Sequence, residues 1–165
     1  KVEGNLLAAN QEIKKLALLY PPGTLSFTQI KDAVMEVARY DIFKLSDAMV
    51  TGEIARFILV LKGLQGEGAA VPFILAILVG QIRSLIIIRK GLDSGRPYTQ
   101  ILREANVWGD RQKIMGNAAK RVGLKLLVKA LLHAAKIDKI SKGVKKGDAW
   151  DEIEQLGLHF AFKKS

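Results

Sequence analysis

Trp108 stands on a short turn-forming stretch ahead of Arg111, Lys113, Lys120 and Arg121. Here residue types and spacing point to chemistry of one kind, recognition of a nucleic acid rather than bond making. An indole at such a place can stack on an unpaired base, an interaction of ~1–3 kcal/mol per base. It can also be a core anchor that fills a helix junction, and taken on its residues alone Trp108 is expected in the core. Lys125 and Lys129 continue the basic character into the following helical stretch, and Lys145 and Lys146 repeat it in the Gly-interrupted run SKGVKKGD.

Residue sets that carry reactions are not assembled by spacing. His133 and His159 fall on different helical stretches with no partner at metal-ligand spacing, so no metal site is expected. Gly66 and Gly68 are followed by no G-K-[ST] and preceded by no strand, so they read as hinges and no nucleotide or other cofactor is expected. Asp148, Asp151, Glu152 and Glu154 gather at the start of the last helical stretch, where the helix dipole favours acids without any catalytic purpose. Arg83 is the oddly placed charge, midway along an apolar segment, and is expected to snorkel or to pair with a carboxylate at the bundle edge.

The formal charge of +10 is concentrated. Lys1 to Asp41 balances five basic against five acidic residues, whereas Asp110 to Lys146 holds eleven Lys or Arg against two Asp. Such a surface suits phosphate backbones or acidic partners, or is a solvated face. With no cysteine, a disulfide scaffold and thiolate metal sites are excluded, and a reducing compartment is compatible. The chain enters a helical pattern within a few residues of Lys1 and shows no cleavable leader, which suggests a piece of a longer protein.

The elements that must position these residues are helical. The segment Ala69 to Ile88, AAVPFILAILVGQIRSLIII, is apolar on every side apart from Gln81, Arg83 and Ser84. It is long enough to cross a bilayer, but its one charge opposes insertion by about 2.5–3.5 kcal/mol. The preferred reading is a central bundle helix opened by Pro72 and buried nearly all round. A first helix, Leu6 to Tyr20, turns its Leu6, Ala9, Ile13, Leu16, Ala17 and Tyr20 inward and stops at Pro21-Pro22-Gly23. A second opens at Ser26 with the S-x-x-Q capping box and an inward Phe27, Ile30, Val34 and Val37. Near Tyr40 the charge balance changes, which places a domain boundary there, a third helix over Ile42 to Val50 closed by Gly52, and a fourth through Ile54, Phe57, Ile58 and Leu61. Gly63, Gly66 and Gly68 are expected to break the chain before the central helix. After a turn over GLDSGRPY come a short helix at Gln100 to Ala105, a helix capped by Asp110 with Ile114, Met115, Ala118, Ala119 and Val122 inward and Arg111, Lys113, Lys120 and Arg121 outside, and a longer one over Leu124 to Ile140 with Leu127, Ala130, Leu131, Ala134 and Ile137 inward. On this last, Lys125, Lys129, His133 and Lys136 are expected to form one continuous outer strip. Asp148 caps a final helix with Trp150, Ile153, Leu156 and Phe160 inward. No segment alternates as a strand does, so the fold class is all-α.

Three stretches taken together resemble the C-terminal part of the delta subunit of the bacterial DNA polymerase III clamp loader: EGNLLAANQEIKKLALLYPPGTLSFTQIKDAV at Glu3 to Val34, ARYDIFKLSDAMVTG at Ala38 to Gly52, and VW followed by RQKIMGNAAKRV at Arg111 to Val122. The resemblance implies a helical bundle in two pieces: residues 1–40 as a two-helix remnant of an AAA+ lid, and residues 41–165 as a collar domain of about five or six helices that packs with the collars of other loader subunits. It further implies no catalysis by this piece, a cytoplasmic setting, and contact with the sliding clamp only through a domain that lies outside it. Primed or template DNA would pass near the collar, and Trp108 holds the family's VW position, which strengthens its reading as a template contact. Where some relatives carry an aromatic before the last helix this chain has Lys145 and Lys146, which favours phosphate contact over stacking there. The competing reading is a freestanding helical nucleic-acid-binding domain that acts through its basic C-terminal half.

Overall fold

Between Phe27 and Thr51 the chain has no Gly or Pro, and it forms one unbroken helix there. The computed structural model describes residues 6–161, with side-chain surroundings for all of these but 6–9, 12, 15, 19 and 30–40. Among the described residues there are eight α-helices and no strand: α1 Leu6–Leu19, α2 Phe27–Thr51, α3 Ile54–Gly66, α4 Val71–Asp93, α5 Tyr98–Glu104, α6 Arg111–Arg121, α7 Leu124–Ser141 and α8 Ala149–Leu158. The all-α class therefore stands. The separate helices expected before and after Tyr40 are one helix, because a change in charge balance interrupts no backbone hydrogen bond. Likewise α3 runs through Gly63 to Gly66, and only Gly68, at φ 67°, turns the chain.

Helix ends follow the residues that can make them. At Ser26 both halves of the capping box form: Gln29 N–H donates to Ser26 Oγ at 3.2 Å, and Ser26 N–H donates to Gln29 Oε1 at 2.8 Å. Asp148 accepts from the N–H groups of Trp150 and Asp151 at 2.7 and 3.2 Å. Asp110 does not cap with its side chain, since its backbone is already helical and Gln112 N–H is taken by Gly109 O. At the other ends, α2, α3, α4, α5 and α7 each close by the same pair of bonds around a left-handed residue. For α2 these run from Glu53 N–H to Ala48 O and from Gly52 N–H to Met49 O.

The core forms around α4, which packs on α2, α5, α6, α7 and α8. Its Ile74, Leu78, Ile82, Leu85 and Ile88 are fully buried, and they meet Leu45 and Met49 of α2, Met115 and Ala119 of α6, and Leu127, Ala134 and Ile137 of α7 in one cluster. At ~25 cal/mol per Å² of apolar surface this cluster is the main source of stability. The expectation that α4 is buried nearly all round is corrected, however. Phe73, Ala76, Gly80 and Arg83 are exposed, and only 33% of the helix's most apolar eighteen-residue stretch is buried.

The first two helices are covered less than their sequences suggest. Ile13 is 65% exposed and Phe27 81% exposed, and Ala17 is exposed as well, against the expected inward stripes. Leu16 and Tyr20 are half-buried, and Tyr20 Oη donates to Gln29 O at 3.3 Å. The remaining stripe residues, Leu6, Ala9, Ile30, Val34 and Val37, lie outside the residues whose side chains are described. The cause of the exposure is geometric: among the described residues α1 packs on α2 and has no other substantial neighbour, so each helix covers only one side of the other.

Close approach of α8 to α3 depends on Gly157. A Cβ there would stand 2.3 Å from the ring of Phe57, which is fully buried and has nowhere to retreat. Gly157→Ala is therefore expected to lower the unfolding free energy by about 1–3 kcal/mol, although alanine is the better helix former. Urea denaturation of the two proteins checks this, and equal midpoints would contradict it.

Candidate nucleic-acid interface

The turn carrying Trp108 is built at the end of α5. Asn106 adopts the left-handed conformation at φ 54°, its N–H donates to Arg103 O at 3.1 Å, and Val107 N–H donates to Leu102 O at 2.9 Å. Val107 and Leu102 pack as the apolar pair that accompanies this closure, and both are buried. Because Val107 turns inward, the next side chain is thrown outward, and Trp108 is 60% exposed. The core position expected for it is thus corrected.

This turn is tied down by α4 and α6, and α6 is in turn held by α5. Ser84 Oγ of α4 donates to Ala105 O at 3.0 Å, Gln112 Nε2 of α6 donates to Val107 O at 3.2 Å, and Tyr98 Oη of α5 donates to Gln112 O at 3.2 Å. An exposed indole on a turn fixed in this way is a preformed apolar plate, available for stacking at little cost in ordering.

The basic residues expected beside it divide by what they touch. Arg111, the first residue of α6, pairs with Asp47 of α2 and donates to Gln81 Oε1 of α4 at 2.9 Å. Arg121, near the other end, donates to Val50 O at 2.7 Å, supplying a donor to a carbonyl in the last turn of α2. Burial lowers the pKa of the Arg121 guanidinium, as removal of a charge from water does. These two arginines staple α6 to α2 and α4. They are not open surface groups.

Lys113 and Lys120 are exposed on α6, seven residues apart and therefore on one face, with exposed Asn117 between them. A shallow groove between this face and the end of α2 is lined by Thr51, Ile114, Asn117, Lys120 and Arg121. Lys125 and Lys129 are exposed one turn apart on α7, and Lys145 and Lys146 are exposed in the loop beyond it. Since Lys145 N–H donates to Lys139 O and a helix rises ~1.5 Å per residue, the loop lysines sit roughly 20 Å along α7 from Lys125. The basic residues thus form two separate regions, one beside α6 and the start of α7 and one at the far end of α7.

The outer strip expected on α7 is broken after Lys129. His133 and Lys136 both reach α8, where His133 Nε2 and Lys136 Nζ each lie 2.6 Å from a carboxylate oxygen of Glu152. His133 Nδ1 lies 3.2 Å from His159 Nε2. The two histidines that sequence spacing kept apart therefore meet, brought together by the α7–α8 hairpin. Glu152 accepts from His133 Nε2–H, so in the neutral pair His133 Nδ1 is the acceptor and His159 Nε2–H the donor. The hydrogen bonds from Lys136 and then from His133 hold Glu152 below the usual carboxylate value. Burial first, and then the neighbouring His133 and Lys129, push His159 below the usual histidine value.

The sequence family described as DNA polymerase III delta subunit, C-terminal domain, matches residues 39–153. The Escherichia coli DNA polymerase III subunit delta is 28% identical over 161 residues, which is 98% of this chain and 47% of that protein. The Haemophilus influenzae DNA polymerase III subunit delta is 26% identical over 164 residues, 94% of this chain and 48% of that protein. The chain thus spans about half the length of the curated relatives it matches. Among solved structures, the Bacillus subtilis DNA clamp loader delta protein has the same fold, with a TM-score of 0.59 at 20% identity, over 95% of this chain and 46% of that one.

Burial of His159, with a smaller effect of His133 and Lys129, makes stability fall with acid. A base whose folded pKa is depressed leaves the fold unpenalised above its ordinary value of 6.5, and stability is lost as pH falls from there toward the folded value. Glu152, also depressed, keeps its contribution above 4.5 and loses it below. Unfolding free energy measured from pH 7.5 to 5.5 is expected to decline, and His159→Gln to flatten that decline while leaving the steeper loss at lower pH. An unchanged slope in the variant would show that the burial of His159 does not contribute to the decline.

Proposed function

The chain belongs to the family formed by the C-terminal domains of DNA polymerase III delta subunits, and from that membership we propose that it is the assembly piece of a clamp-loader delta subunit. In this reading residues 41–165 are the collar, which packs against the collars of other loader subunits in the bacterial cytoplasm. Residues 1–40 are the remnant of an AAA+ lid, joined to the collar through the continuous α2 and not through a loop. The piece carries out no catalysis. Its task is to hold the remaining domain of the delta polypeptide, through which the sliding clamp is engaged, in place within the loader while the clamp is loaded on primed DNA. The family match across residues 39–153 is the observation that carries this reading.

A template contact is the finer part of the proposal. Trp108 would serve as the stacking plate, and Lys113, Lys120, Lys125 and Lys129 would contact phosphates, with Lys145 and Lys146 a second phosphate contact further along. Support comes from the exposure of the indole on its pinned turn and from the open lysines beside it. The same features favour the second reading, a nucleic-acid-binding domain that works without partners.

Mixing with the other subunits of the same loader separates the two. Coelution on a sizing column at roughly micromolar concentration is expected, and a chain that stayed apart while binding DNA tightly by itself would favour the second reading. Within the assembled loader, Trp108→Ala is expected to weaken binding to primed template by about 1–3 kcal/mol. Removing Lys113 and Lys120 together should make the dependence of binding on salt shallower by about one to two contacts' worth. Arg111→Ala and Arg121→Ala should instead lower the melting temperature, because each breaks a staple between helices. Unaltered DNA affinity in Trp108→Ala would remove the template contact from the proposal.

A further inference from the structure

The outward face of α4 is the feature that the monomer does not explain. Phe73, Ala76, Gly80, Arg83 and Lys90 recur at intervals of three and four residues along it, with one interval of seven, and all are exposed. Beside them a groove runs between α4 and α7, where Ala76, Val79 and Arg83 face Leu131, Ala135 and Asp138. The exposed Val128 and Leu132 of α7 border the same side of that helix.

Gly80 has no purpose inside the chain. It lies in mid-helix, where glycine costs about 1 kcal/mol relative to alanine. A Cβ there would meet no atom within 4 Å, so no internal contact requires its absence. Small residues at the centre of an exposed helical face, with Ala76 one turn away, allow another helix to approach closely. The charges specify what sort of helix. Asp138 is already paired with Lys142 at 2.7 Å, whereas Arg83 has no hydrogen bond or ion pair among the described residues. The groove therefore presents Arg83, which has no partner of its own among the described residues, beside apolar side chains and the Asp138–Lys142 pair.

We propose that the α4–α7 groove, with Arg83 in its wall and the exposed Gly80 beside it, receives a helix of another loader subunit that brings aliphatic side chains and a carboxylate opposite Arg83. This rests on the collar reading above and adds to it the face that is used. A second copy of this chain fits less well, because each copy carries a charge of +10 and would bring its own basic surface. A bilayer fits less well for the same arginine, which stands midway along the helix.

The test uses the protein as its gene encodes it, mixed with the other subunits of its loader, with assembly followed by light scattering on a sizing column. Gly80→Leu and Arg83→Glu are each expected to weaken assembly by about tenfold or more. Neither should melt below the parent protein, since both positions are exposed and lack internal partners, and Gly80→Ala should melt higher. Assembly of both variants as tight as the parent's would overturn the groove and leave the collar reading intact. A parent that fails to assemble would overturn both. Self-association of the parent abolished by Arg83→Glu, or binding to phosphatidylglycerol vesicles abolished by it, would overturn the proposed occupant in favour of a second copy or a lipid surface.

Discussion

Burial of α4 is the constraint on which the rest of the fold depends. With a mean hydropathy of 2.3 over its most apolar stretch, this helix must lose much of its contact with water, and five other helices are disposed around it to that end. Helix α7 lies along it, α6 and α5 lie over its C-terminal half through Arg89–Ala119 and Gly91–Ile101 contacts, and α2 and α8 close the cluster. Yet the covering stops at the line of Phe73, Ala76, Gly80 and Arg83. A helix this apolar left uncovered along one line is an incomplete packing solution, and no group among the described residues covers that line.

The second organising interaction is the use of arginine as an internal fastener. Helix α6 has little apolar surface, and its inward side is largely alanine and glycine. Its position is fixed at one end by Arg111 on Asp47 and Gln81, and at the other by Arg121 on the carbonyl of Val50. A guanidinium suits this task because its fixed fork of donors reaches two acceptors at once. Lysine does not, and the lysines of α6 accordingly remain outside. The same basic helix therefore has two populations of cation, one engaged in the fold and one open to solvent.

That division marks the limit of what the residues reveal in order. The apolar stripes of α3, α6, α7 and α8, the capping box at Ser26 and the cap at Asp148 are local matters, legible from spacing within a few residues. The helix break expected near Tyr40 does not occur, because charge composition does not set backbone geometry and no breaker stands between Phe27 and Thr51. Arg111 and Arg121 find partners 64 and 71 residues away, and His133 meets His159 26 residues on, and no local pattern contains such distances. Trp108 is a different case, for the signal is present in the chain. Asn106 followed by an apolar residue, with Leu102 four positions before it, is the signature of a left-handed helix end that sends Val107 inward and its successor outward. Turn chemistry, and not hydrophobicity, is what places the indole on the surface.

The charge of the chain and its uncovered apolar face belong together. A small helical domain that leaves Phe73, Leu132 and Val128 open to water risks associating with itself through them. A net charge of +10 opposes this, because like-charged copies repel before their apolar faces meet. A partner carrying negative charge meets no such barrier, and both the apolar face and the lysines then favour it. The basic excess thus acts as a barrier to self-association, and this role requires no single lysine to sit at a defined place. This is why the excess is spread over α6, α7 and the loop beyond, whereas the two arginines that fix helices in place occupy positions that no other residue type would fill as well.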